Sequence, residues 1–205
     1  MSRNIASKLL LVGAGHLGSR YLQGLVSASY ELDITVVDTS AISLLTAKSR
    51  WIEAGGNESQ HQVRWLESLP SELVQVDIAL VVTSSRGRAS LIETIANKIE
   101  VRFWVLEKVL TQSRNELSVI NSVLAGHGGA WVNIPRRMMP WYQSLKKIFA
   151  RHGVHEVSYS AGVWGLASNS IHFIDLVAWW CSERPLSVKT NGLHKVWFES
   201  KRCPH

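Results

Sequence analysis

Leu9-Leu10-Leu11-Val12-Gly13-Ala14-Gly15-His16-Leu17-Gly18 is the stretch that decides how this chain folds. Its first four residues form a short, wholly apolar run, the pattern of a strand buried on both faces of a sheet. Helical spacing follows over residues 17–27, so the glycines fall in a turn between strand and helix. Each glycine has its own steric task there. The first lets the chain turn sharply, the second lets a ligand approach the backbone, and the third lets helix pack on strand. The unpaired N–H groups and positive end of the helix then face an anion, as they do in phosphate sites.

Asp38 stands twenty positions after Gly18, at the end of the next apolar run, 34–37. A carboxylate at that distance accepts hydrogen bonds from ribose hydroxyls and repels a 2′-phosphate. Thr39 and Ser40 follow it, with no adjacent arginine. Gly13, Gly15, His16, Leu17, Gly18 and Asp38 are therefore the candidate contacts of a dinucleotide, with NAD preferred to NADP. His16 itself reads as a solvent-edge helix residue rather than a catalyst.

Further along, strands at 63–66, 78–82, 101–106 and 131–134 alternate with helices at 42–54 and 88–98. A last helix is opened by the Ser113/Glu116 capping box and runs to about residue 125. Alternation of this kind predicts βαβ units on a parallel sheet. The fold class is α/β, with an N-terminal Rossmann dinucleotide-binding domain over residues 1–134. After Pro135 the pattern changes to a helix at 141–150, a strand at 154–163, a helix at 169–180, and strands at 187–193 and 196–199. Residues 135–205 read as a partial α+β second domain that holds the substrate.

The totals narrow the function classes. The chain has 205 residues, 46% hydrophobic and 19% charged, within the range of soluble globular proteins. No apolar run is long enough to cross a bilayer and residues 1–7 lack a signal-peptide pattern, so a cytoplasmic protein without a membrane partner is expected. Cys181 and Cys203 have neither metal-ligand spacing nor a disulfide framework, and no metal is expected. The net charge of +6 is spread along the chain, with Arg136-Arg137 and Lys146-Lys147 among the few adjacent pairs. That dispersal argues against a nucleic-acid partner and leaves anionic small molecules. The nine tryptophans read as core or interface residues.

Glu107-Lys108 closes the fifth strand, and strand carboxyl ends in such sheets face the ligand crevice. With it, the chain carries an ordered set: Gly13 to Gly18, Asp38, Thr83-Ser84, Glu107-Lys108, Asn133 to Pro140 including Arg137, and Ser168-Asn169-Ser170-Ile171-His172-Phe173-Ile174-Asp175. This set resembles the glucose–fructose oxidoreductase and inositol dehydrogenase group, Gfo/Idh/MocA, over nearly the whole chain. The resemblance implies that Thr83, Ser84 and Glu107 join the cofactor contacts. It implies that Lys108 binds a substrate hydroxyl, and that His172 serves as general base for alcohol oxidation or as acid in reverse. Asp175, three residues on, shares a helix face with His172 and is placed to orient the imidazole or to bind the sugar. Arg137 and Asn169 are the candidate substrate contacts.

Two positions depart from the group's pattern: Val109 stands where proline is common, and Ser168 where aspartate is common. The chain is also shorter than members of the group, so a C-terminal truncation is expected, and a homo-oligomer only with a complete second domain. The resulting expectation is an NAD-dependent oxidoreductase acting on a secondary alcohol of a sugar, polyol or nucleotide-sugar. The wording around residues 133–137 and 164–169 looks most like members associated with bacterial surface-polysaccharide synthesis. The alternative is a non-catalytic NAD(H)-binding protein or an inactive fragment of such an enzyme.

Overall fold

Six apolar runs become the six parallel strands of one sheet: β1 (Ser7–Val12), β2 (Leu32–Val37), β3 (His61–Leu66), β4 (Gln75–Val81), β5 (Glu100–Glu107) and β6 (Ala130–Asn133). The computed structural model describes residues 6–154, 156–160, 162, 165–185, 187, 189–193 and 196. Strand order is β3-β2-β1-β4-β5-β6. The order reverses between β1 and β4, and the loops at their carboxyl ends part there to leave a crevice.

Alternation of side chains across the strands feeds two cores. Leu9, Leu11, Ile34, Val36 and Leu80 pack with Leu22 of α1 (His16–Leu25) and with Leu44, Ala47 and Trp51 of α2 (Ala41–Glu53). Leu10, Val12, Ala79, Val81, Trp104 and Leu106 pack with Ile92 and Ile95 of α3 (Arg88–Ala96) and Ile120 of α4 (Arg114–Leu124). Both sheet faces are thus covered, which is why β1 shows no polar alternation. Each fully buried leucine contributes about 2 kcal/mol. At the start of α4 the Ser113 hydroxyl accepts from the Glu116 N–H at 3.2 Å, while the Glu116 carboxylate accepts from the Gln112 N–H at 3.1 Å, one residue before the expected capping-box donor.

The chain divides into two compact units, residues 1–133 and 134–205. The second opens with a 3-10 turn (Pro135–Met138), followed by α5 (Pro140–His152) and α6 (Leu166–Cys181). Pro140 begins α5, where its missing N–H costs nothing, and Gly153 at φ 73° ends it. The two helices meet through the rings of Tyr142, Phe149 and Trp180. Lys146 Nζ donates to the Trp179 carbonyl at 2.8 Å, and the Trp180 indole N–H to that of Tyr142 at 3.2 Å.

Among the described residues of this unit none belongs to a strand. Residues 156–160, from the stretch expected as a strand at 154–163, belong to no strand, and neither do 187, 189–193 and 196. The other residues of those stretches lie outside the described ones. Alternating apolar residues make a strand only when another backbone offers hydrogen bonds, and no described segment of this unit does so. The tryptophans also divide: Trp51 and Trp104 are core, whereas Trp141 is 69% exposed. Trp164 and Trp197 lie outside the described residues.

Candidate nucleotide and substrate site

Gly13 follows β1 at φ 100°, a conformation that favours glycine, and its backbone lies against the end of β4. A Cβ there would stand 2.9 Å from the Val82 carbonyl carbon and 3.0 Å from Thr83 N. A Cβ on Gly18 would stand 1.9 Å from the Gly13 carbonyl oxygen, so the start of α1 can approach β1 only without a side chain. Gly15 differs from both. It has φ −61°, and a Cβ on it would meet nothing within 4 Å. Neither backbone strain nor packing requires glycine at 15; open space in front of the turn is what the missing side chain preserves. His16 and Leu17 are exposed beside it.

Asp38 is drawn into the same turn. Its Oδ2 accepts from the Ala14 N–H at 2.7 Å and its Oδ1 from the Ser40 N–H at 2.8 Å. The carboxylate therefore fixes the glycine turn across the β1–β2 edge, and an ionised carboxylate retains further acceptor positions. Thr83 closes the crevice from the β4 side, and its hydroxyl oxygen is buried with no hydrogen-bond partner among the described residues. Ser84, next to it, is exposed.

At the end of β5 the expected pair separates in environment. Lys108 is half-buried, while Glu107 is 3% exposed and turned into the protein. Its Oε1 accepts from the Tyr21 hydroxyl at 2.5 Å and from Asn133 Nδ2 at 2.7 Å, and the Asn133 amide also donates to the Tyr21 oxygen. Burial, together with the bond to Glu107 and its charge, pushes the Tyr21 phenol far above its ordinary range; the Asn133 bond pulls slightly the other way. Glu107, expected at the cofactor, is thus a tie between α1, β5 and β6.

Arg88 is a participant that the sequence reading did not single out. It is the first residue of α3 and 1% exposed. Its guanidinium donates to the carbonyl oxygens of Thr83 and Glu107, to that of Val109 at 2.6 Å and to that of Leu110 at 3.1 Å. Burial lowers its pKa from the arginine value and the Glu107 charge raises it.

In the second unit, His172 is half-buried on α6. Asp175 is engaged by Arg137. Its carboxylate takes the fork of Arg137, with Nε donating to Oδ2 at 2.7 Å and Nη2 to Oδ1. The side chains are 14% and 33% exposed. This bidentate bond joins the 3-10 turn to α6 and occupies both an expected orienter of the imidazole and an expected substrate contact. Asn169 donates to the Gly165 carbonyl at 3.2 Å, at the start of α6. Among the described residues no group of His, Cys, Asp and Glu is placed to hold a metal ion, and no helix is long and apolar enough to cross a membrane.

No protein-family model matches the chain, and no curated protein sequence does. Solved structures do. The myo-inositol 2-dehydrogenase from Lactobacillus plantarum superposes with a TM-score of 0.65 at 20% identity, covering 87% of this chain and 57% of that one. The scyllo-inositol dehydrogenase from Lactobacillus casei, solved with bound NAD(H) and scyllo-inositol, gives 0.61 at 19% identity, over 87% of this chain and 57% of that one. The Lactobacillus casei myo-inositol dehydrogenase in complex with NAD(H) and myo-inositol gives 0.60 at 16%, over 93% and 62%. The chain shares the fold of these inositol dehydrogenases and spans less than two thirds of their length. This is the fold that the Gfo/Idh/MocA resemblance implies.

Proposed function

We propose that the first unit holds NAD(H), and that the protein belongs to an oxidoreductase acting on a secondary alcohol of a sugar-like substrate, polyols foremost. The observation that carries this reading is the turn at the β1–β4 crevice. Gly15 is a glycine for which neither packing nor backbone gives a reason, and Asp38 is bonded to the turn itself. That cradle fits a pyrophosphate, with the ribose hydroxyls within the remaining acceptor capacity of Asp38. The buried hydroxyl of Thr83, which has no hydrogen-bond partner among the described residues, adds a polar group at the same edge.

When bound, NAD supplies the hydride acceptor. The chain's own groups do the rest. N–H groups at the start of α1 hold the phosphates, and Asp38 disfavours a 2′-phosphate. Lys108 donates a hydrogen bond to the substrate oxygen and stabilises charge developing on it. His172 takes the hydroxyl proton, or returns it in the reverse direction. Inositols are the first substrates to try, because the solved relatives of this fold bind them. Nucleotide-sugars, and a place in surface-polysaccharide synthesis, are a finer version of the same proposal, as is a cytoplasmic location.

Titration of tryptophan fluorescence tests the cofactor. NADH binds more tightly than NADPH, and Asp38→Asn narrows the gap while keeping an acceptor for the Ala14 N–H. NADPH binding as tight as NADH sinks the assignment. Lys108→Ala and His172→Ala each lower turnover roughly a hundredfold with NADH affinity unchanged. A second reading, an NAD(H)-binding protein without turnover, draws support from the Arg137–Asp175 bond and from a second unit whose described residues contain no strand. NADH binding with no turnover of any inositol, sugar or nucleotide-sugar would decide for it.

A further inference from the structure

We propose that Arg88 is the positioning residue of the Lys108 loop, fixing through its guanidinium the place at which Lys108 is presented. The functional importance of that loop rests on the reading of Lys108 given above; the clamp itself does not. Arg88 joins two chain segments distant in sequence. One is the end of β4 at Thr83, beside the Gly13 turn. The other is the stretch Glu107, Val109 and Leu110, whose carbonyls lie on both sides of Lys108. Lys108 is thus held by its neighbours and is not itself a ligand of the clamp.

The choice of arginine has a physical reason. A guanidinium is planar and carries donors on two terminal nitrogens: Nη2 reaches the Thr83 carbonyl, the two hydrogens of Nη1 are shared among the carbonyls of Glu107, Val109 and Leu110, and the buried Nε–H has no partner among the described residues. A lysine ammonium offers three donors at one point. Arg88 is 1% exposed and is in no salt bridge among the described residues, so carbonyl dipoles and the nearby Glu107 carboxylate must compensate its charge. If the loop carbonyls move away together, the hydrogens of Nη1 are left buried without acceptors, and this penalty holds the loop in place. Gln112 Nε2 also donates to Ser85 Oγ at 3.2 Å, but that contact is exposed and replaceable by water. Glu107 is held twice, its carbonyl by Arg88 and its carboxylate by Tyr21 and Asn133.

Hydrogen exchange on the chain without cofactor tests the clamp directly, comparing wild type with Arg88→Ala and Arg88→Lys. Amides of residues 108–112 exchange at least about tenfold faster in both variants, while those of β1 and β2 keep their rates. If Arg88→Ala fails to fold, Arg88→Lys carries the test. Unchanged exchange at 108–112, or acceleration spread evenly over residues 6–133, overturns the proposal. The second arm is kinetic. In wild type with NAD and an inositol, Arg88→Lys lowers kcat/KM for the alcohol roughly a hundredfold, with the Kd for NADH altered less than about twofold. A local loosening with kcat/KM unchanged also overturns positioning. Absence of turnover in wild type itself counts against the functional reading, and the exchange arm then decides the clamp alone.

Discussion

The two units of this chain are held together by different physics. In residues 6–133 a parallel sheet buries side chains on both faces, and nearly every buried hydrophobic residue of the described chain lies there. In the second unit Leu176 is the single buried hydrophobic residue among those described. Among the described residues, its elements are joined by directed contacts that include the Arg137–Asp175 fork, the Lys146 and Trp180 bonds to carbonyls, and the tilted and edge-on contacts of Tyr142 and Phe149 with Trp180. Burial is non-directional and cooperative, whereas each directed contact offers on the order of 1 kcal/mol net. The first unit can therefore carry a costly feature such as the buried Arg88 charge.

The sharpest way to break this contrast is hydrogen exchange. Amides of α6 exchange roughly a thousandfold faster than those of β1 and β4, which open only with the whole unit. Equally slow exchange through 166–181 removes the contrast. Within the first unit, Gly18→Ala forces a methyl onto the Gly13 carbonyl and destabilises by about 3 kcal/mol. Denaturant titration reads this, and a loss under about 1 kcal/mol means that α1 shifts easily and the turn is not rigid.

The Tyr21 cluster gives a pH signature confined to the first unit. Its folded pKa lies above the ordinary phenol value of 10.0, so above that pH the unfolded chain releases a proton that the folded chain keeps. Stability is intact below pH 10 and declines as pH rises past it. The slope is at most about 1.4 kcal/mol per pH unit, reduced by solvent screening of a half-buried ring. Tyr21→Phe loses about 1 kcal/mol at neutral pH and flattens that decline. An unchanged alkaline slope in Tyr21→Phe places the titration elsewhere. The smallest effect belongs to the second unit. Asp175→Asn weakens a partly exposed ion pair by about 1 kcal/mol, raising exchange in α6 and leaving the first unit unmoved. A global loss of stability in that variant would show that the two units unfold together.

Much of this molecule is legible from local sequence because its cause is local. The glycine spacing, the apolar runs of β1, β2 and β4, the Ser113 cap and the position of Asp38 each depend on residues a few positions apart or on a fixed βαβ repeat. The described residues of the stretches expected as strands after residue 153 show the limit: alternation records which side chains share a face, not whether another backbone is there to bond. Only the tertiary structure decided the partners of the long polar side chains. Arg88 finds carbonyls around twenty positions away, Glu107 meets Tyr21 across 86 residues, and Asp175 binds Arg137 across 38. A backbone carbonyl is the same acceptor whichever residue carries it, so no residue type marks it in the sequence. A carboxylate goes to whichever donor the fold brings nearest. The chain by itself determined the sheet, the glycine turn and the acid after β2. Packing decided which charged groups remain for a ligand and which are used to hold the protein together, because burial makes an unpartnered charge too costly to leave waiting.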